Sequence, residues 1–487
     1  MKIISPHRLN VRRLTAPVIL VILIAIIFYG FFAYHLYLRH QRFGTFDYDL
    51  GIWDQSVWLI SRGHSFNTIR GLNVFGFHAT PALWLLAPFS WLGAGPVFLN
   101  SLMVFSVAVG AWPVFRLGKH LLKNEWWSLV LAVAFLMHFS TQWMVQSTFH
   151  PEVMAVTPLL FAWLATHQNR WGAFAGWAML AIAWKEDAAV VVAMMGLVLL
   201  MRGDKERGLT IFGAATAWFA LVLWLVIPSQ VSGGAFYLGH FGHLGDGPLG
   251  MLDTLLTNPT TIWRQLSKAQ FFGYFRDLFA PFGFTPLLSP GGFLIGGASS
   301  VLNLLAFPPY SWRLDNYYAA LPVVGATLAA VEGVARPSRE STRAFLVGLV
   351  GVSMIATSIT WRAAWYSDDF KSGRWPNHDS SIYDLQRRII DQVPDDAAVS
   401  ASYLMVSHLS HREKIYTFPN PWAPSNWGIG DENPHSPDEV TWLVIDKGLT
   451  NPAHTLLLYE VVLAEDQGWT ILFDEELFLV ASREASK

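Results

Sequence analysis

The sequence predicts a polytopic α-helical membrane domain of about 11 spans over residues 1–361, followed by a small α/β domain over 362–487. Three observations predict it. Charged residues make up only 14% of the chain, against roughly 25% in a soluble domain. Uncharged apolar runs recur up to residue 361, and the first is about 20 residues long, enough to cross the hydrocarbon. Beyond 362, charges, His and Pro become common and the apolar runs shorten to strand length.

The first run, Leu14 to Tyr34, follows Lys2, Arg8, Arg12 and Arg13. A cleaved signal peptide begins similarly but has a shorter apolar region and a small-residue cleavage site. This run ends in Phe31, Phe32 and Tyr34, so a retained first span is expected. Basic residues in short loops face the cytoplasm. Arg116, Lys119 and Lys123 form one such loop, Arg202, Lys205 and Arg207 a second, and Arg336, Arg339 and Arg343 a third. Spans near 14–34, 95–115, 127–141, 153–167, 172–185, 187–201, 209–228, 272–287, 291–307, 317–334 and 344–361 put all of them inside, with the N-terminus. Ser289-Pro290-Gly291-Gly292 reads as a tight inner turn or as a break in one span. The basic loop after it requires an odd number of crossings between 228 and 336.

This topology leaves four external features: a loop from about 35 to 94, the turn Phe149-His150-Pro151-Glu152, the span end Lys185-Glu186-Asp187, and a Gly-rich stretch at 229–270. The tail also falls outside. In it, Ala398–Ala401, Ile415–Phe418, Val440–Ile445, Trp469–Phe473 and Leu477–Ala481 read as strands, and Ser381–Gln392 and His454–Glu465 as helices. The 23 Trp and 34 Phe suit aromatic belts at bilayer interfaces. A net charge of −2 argues against a nucleic-acid partner, which favours a basic face. With no Cys, disulfides, thiol catalysis and Cys-ligated zinc are excluded.

The candidate chemistry lies on one side. Asp47, Asp49 and Asp54 occupy Phe46-Asp47-Tyr48-Asp49-Leu50-Gly51-Ile52-Trp53-Asp54-Gln55, just beyond the first span. His78, His150 and Glu152, and then Lys185, Glu186 and Asp187, fall on the same face. Ionisable groups near hydrocarbon are costly, and usually functional or paired. A carboxylate there can take a proton from an acceptor hydroxyl. Asp49, His150 and Glu152 are also candidates to hold a divalent cation against a phosphate, or Lys185 can counter the phosphate directly. Plainer readings exist: Asp47 or Asp49 as a helix cap, Lys185 with Glu186 or Asp187 as a structural ion pair, and His150 as a hydrogen-bonded loop residue. No Walker, GxSxG or HExxH motif supports an ATPase, α/β-hydrolase or zincin.

Tyr48-Asp49-Leu50-Gly51-Ile52-Trp53-Asp54-Gln55, Phe77-His78-Ala79-Thr80-Pro81, Phe149-His150-Pro151-Glu152 and Lys185-Glu186-Asp187 together resemble a bacterial membrane family, domain of unknown function 2079. The resemblance continues through Pro286-Leu287-Leu288-Ser289-Pro290, Asn303-Leu304-Leu305, Val399-Ser400-Ala401 and His408-Leu409-Ser410-His411-Arg412, nearly the whole chain. That family is similar to the GT-C glycosyltransferases, which use polyprenyl-phosphate sugars and keep an acidic motif in the first external loop. The resemblance implies Asp49 as base with Asp47 beside it, and Glu152 as the second acidic site. His78, His150, Lys185, Glu186 and Asp187 are then expected to bind substrate or phosphate. It departs at Asp315-Asn316-Tyr317-Tyr318, where a His-Tyr pair is expected. The expected protein sits in a bacterial cytoplasmic membrane. It moves sugar from a polyprenyl-phosphate lipid to an extracytoplasmic glycan or protein. Its rivals are a transporter or flippase of a lipid-linked sugar and a non-catalytic assembly protein.

Overall fold

The structure, a computed structural model, describes residues 14–231, 236–361, 380–425, 435–475 and 477–484. The basic residues Lys2, Arg8, Arg12 and Arg13 and the expected boundary at 362 lie outside them. Helix α1 (Ala16–Gln41) starts with Pro17 in its first turn, where the missing N–H costs nothing. A short turn leads into α2 (Ile52–Ser61). Then come α3 (Pro96–Leu122), α4 (Glu125–Met137), α5 (Phe139–Gln146), α6 (Pro151–His167), α7 (Trp171–Trp184), α8 (Ala188–Met201) and α9 (Lys205–Leu221). After them run α10 (Gly247–Thr257), α11 (Pro259–Lys268), α12 (Phe271–Phe279), α13 (Pro290–Leu305), α14 (Ala320–Ala335) and α15 (Glu340–Thr360).

The expected eleven spans are not matched by eleven long helices. Among the described residues five helices are long and apolar enough to cross a membrane, or six if α4 and α5, bent by 45°, act as one. Helices α7, α8 and α13 are apolar but shorter. The expected span at 272–287 is not one helix: α12 ends at Phe279, and short 3₁₀ turns follow at Ala280–Phe282 and Thr285–Leu288. Pro281, Pro286 and a left-handed Gly283 (φ +58°) account for the break. Elsewhere the helices pack tightly. Gly296 of α13 faces Gly325 of α14 so closely that a Cβ on Gly325 would stand 2.2 Å from the Gly296 nitrogen. Small residues at helix contacts are what lets membrane helices approach this way.

At one end of the bundle four side chains from three elements close on Glu332 of α14. Trp163 Nε1 donates to its Oε1 at 2.9 Å, and His167 Nε2 lies 3.2 Å from the same oxygen. Arg202 Nη2 and Ser289 Oγ donate to Oε2 at 2.6 and 2.8 Å.

The C-terminal part holds helix α16 (Ser381–Ile390) and strands β1 (Val399–Ala401), β2 (Ile415–Thr417), β3 (Trp442–Asp446), β4 (Thr470–Asp474) and β5 (Phe478–Ser482). The sheet order is β2-β1-β3-β5-β4. Strand β1 runs parallel to both β2 and β3, while β5 is antiparallel to β3 and β4. Each strand falls within two residues of its expected place. The sheet shares an apolar core with the first loop: Phe43, Ile52 and Ile69 pack with Val399, Met405 and Val406. Polar bonds reinforce that contact. Thr68 Oγ1 donates to the Ile415 carbonyl at 2.8 Å, and Ser410 Oγ donates to Asp54 Oδ2 at 2.7 Å. His411 Nε2 lies 3.0 Å from the same Asp54 oxygen.

Candidate active site

Asp49 lies in a π turn, Asp47–Gly51, in which the Ile52 N–H reaches back five residues to the Asp47 carbonyl. Such turns carry one extra residue and recur at functional sites. The turn sends the two neighbouring carboxylates to different places. Asp47 is buried, and its Oδ2 accepts a hydrogen bond from Thr417 Oγ1 of β2 at 2.6 Å. Burial raises the Asp47 carboxyl pKa to about 6. Asp49 instead lines a cavity of about 780 Å³. The expectation that Asp47 shares the site with Asp49 is therefore corrected: Asp47 is not among the cavity-lining residues, because it faces the C-terminal sheet.

His150 caps the start of α6, behind a strained left-handed Thr148 (φ +71°). Its Nδ1 sits 3.2 Å from the Thr148 carbonyl, which can only accept, so Nδ1 carries the proton. Its Nε2 then points at Asp49 Oδ1, 3.1 Å away. Burial disfavours charge on this imidazole, but the Asp49 carboxylate and, further off, Glu152 outweigh it and raise its pKa. The ring stacks on Tyr317 with centroids 3.5 Å apart. Glu152, in the first turn of α6, lines the same cavity.

Lys185, Glu186 and Asp187 interrupt the apolar helices α7 and α8. Lys185 Nζ donates to Glu186 Oε1 at 2.8 Å and to Asp187 Oδ2 at 3.3 Å. Burial opposes the Lys185 charge, but Asp187 and Glu186 outweigh it and hold the ammonium form firmly. His78 Nδ1 approaches Glu186 Oε1 at 2.7 Å. His78, Lys185 and Asp187 line the cavity; Glu186 is fully buried and does not, and it anchors the other two from behind. Glu186, expected to bind substrate, is thus the one member of this trio that does not border the cavity.

Seven of the eight singled-out positions thus serve this end of the molecule, and six of them line one chamber. The metal expectation does not fit: among the described residues no three His, Asp or Glu side chains gather as a ligand set, so Asp49, His150 and Glu152 do not make a cation cage. Four tyrosines with no site role expected from the sequence also line the cavity, Tyr48, Tyr237, Tyr317 and Tyr318. Tyr317 had a signal, since it stands where the resemblance departs.

A bundle of apolar helices with a charged, aromatic-walled chamber at one end defines a helical membrane protein with an internal polar site. Its sequence matches the profile described as "Predicted membrane protein (DUF2079)" over residues 39–473, and the chain belongs to that family. No curated protein matches it. Its fold is similar to the crystal structure of ArnT from Cupriavidus metallidurans in the apo state, with a TM-score of 0.54 and 12% identity. That match covers 96% of this chain and 98% of the other.

Proposed function

We propose that the protein is an integral-membrane glycosyltransferase of GT-C type, moving a sugar from a polyprenyl-phosphate donor to an extracytoplasmic acceptor. The likeness in fold to ArnT, a GT-C glycosyltransferase, supports the class. The observation that carries the chemistry is that one chamber holds both a carboxylate, Asp49, and a buried ammonium, Lys185.

In this reading Asp49 takes the proton of the acceptor hydroxyl. The freed oxygen attacks the anomeric carbon, and the bond from that carbon to the phosphate oxygen breaks. The phosphate leaves with the electron pair, and Lys185 and His78 counter its charge. His150, held by Thr148 and Tyr317, fixes the Asp49 carboxylate. Glu152 faces the same space.

Transfer from a radiolabelled polyprenyl-phosphate sugar tests this. Asp49→Asn should lower transfer by about 10²–10⁴-fold while donor binding survives, because the base acts on the acceptor. Near-normal transfer in that variant removes the mechanism. Donor binding without any transfer by the unaltered chain favours a transporter.

A further inference from the structure

The cavity has one wall unlike the others. Between residues 236 and 257 the chain supplies Tyr237, Leu238, His240 and Met251 to the chamber. Helix α10 forms the far part of this wall, after Gly245 and Gly247, both in left-handed backbone (φ +126° and +68°) that favours glycine.

At 100° per residue, the leucines of α10 gather on one side. Leu249, Leu252, Leu255 and Leu256 fall on one arc, with Met251 at its edge and in the cavity. Thr254 and Thr257 fall on the opposite arc, and Asp253 borders the leucines beside Leu249. The leucines are not covered: Leu249 is 81% exposed and Leu256 73%. Among the described residues, α10 side chains make no hydrogen bond outside their own helix. The neighbouring α11 differs, because its Gln265 Nε2 donates to the Ala306 carbonyl at 2.8 Å and to the Leu304 carbonyl at 3.1 Å. Trp263 of α11, 57% exposed, suits an aromatic residue at a membrane interface.

We propose that α10 is an interfacial membrane helix, its four leucines seated in lipid acyl chains and its Met251 edge forming the lipid-side wall of the cavity. A one-sided apolar helix with a polar opposite face lies flat at the acyl–headgroup boundary. Among the described residues these four leucines are between 49% and 81% exposed. The chain's membrane-length apolar helices supply the bilayer as occupant, and Phe272 of α12 and Phe307 after α13 are likewise exposed. The wall between lipid and chamber is then one helix thick, entered through a turn at Gly245 and Gly247.

The chain has no cysteine, which makes the test direct. Leu252→Cys, Leu256→Cys and Thr257→Cys are each labelled with an environment-sensitive fluorophore, in the full chain in phosphatidylcholine nanodiscs. Phosphatidylcholine carrying a nitroxide high on its acyl chain should quench the labels at 252 and 256 several-fold more than the label at 257. Aqueous iodide should show the reverse order. If iodide quenches 252 and 256 as strongly as 257, α10 faces water and the proposal is overturned. Neither result depends on whether sugar is transferred.

Discussion

The two ends of helix α14 handle buried charge in opposite ways. From Tyr317 to Glu332 is about 20 Å along a helix. At the Glu332 end, both carboxylate oxygens are taken by four side chains from three different elements. At the Tyr317 end, Asp49, Glu152, His78 and Lys185 border a chamber large enough for a sugar phosphate. Asp49 keeps 20% of its side chain exposed there. Both ends are rich in charge within an apolar protein, so charge alone does not mark a site. Incomplete satisfaction beside open space does.

The largest expected effect breaks this comparison if it fails. Asp49→Asn should leave the thermal midpoint in detergent unchanged while transfer falls by about 10²–10⁴-fold. Glu332→Ala should do the converse. It strips an acceptor from enclosed Trp163 and Ser289 and should destabilise by about 3 kcal/mol, read as a lower midpoint, with donor binding retained. A Glu332 variant that melts normally but binds no donor would make both ends one functional unit.

The smallest effect sharpens the contrast within the π turn. The Asp47 carboxyl, with its pKa raised by burial to about 6, ionises in the folded state only at a cost. An unfolded Asp titrates near 3.9, so the folded chain binds the extra proton between about pH 4 and 6. Stability therefore falls as pH rises through that window and stays lower above it. Asp47→Asn keeps an oxygen for Thr417 but has nothing to ionise. It should melt higher than the unaltered chain at pH 8, by about 1–3 kcal/mol, with the gap closing near pH 4. A gap that is constant across pH would show that the Asp47 pKa is not raised on folding.

Much of this was legible in the residues, and the remainder was not for physical reasons. The strands after 398 announced themselves, because runs such as Trp442-Leu443-Val444-Ile445 are short, apolar and β-branched. The motifs around Asp49, His78, His150 and Lys185 were legible as chemistry. Their facing was not: Asp47 and Asp49 look equivalent in sequence, and only the packing of Asp47 on Thr417 and of Asp49 on the cavity separates them. Apolarity gave the helices but not their lengths, since a run of 14 residues and one of 26 read alike until their ends are placed. Glu332 was passed over, although an acid inside the apolar stretch from Ala320 to Ala335 is itself a signal. His411, quoted only as part of a resemblance, turns out to be joined through Asp54 to the first loop.

The turn from Asp47 to Gly51 makes this stretch sensitive to length more than to composition. A substitution there changes what a side chain does but leaves each one on its own side of the wall. Removing a single residue would restore ordinary helical winding and turn everything before α2 by about 100°. Asp49 would leave the chamber, and the buried contact with Thr417 would be lost in the same stroke. Viable variants of this protein should therefore keep the five-residue length of this turn, Asp47 to Gly51.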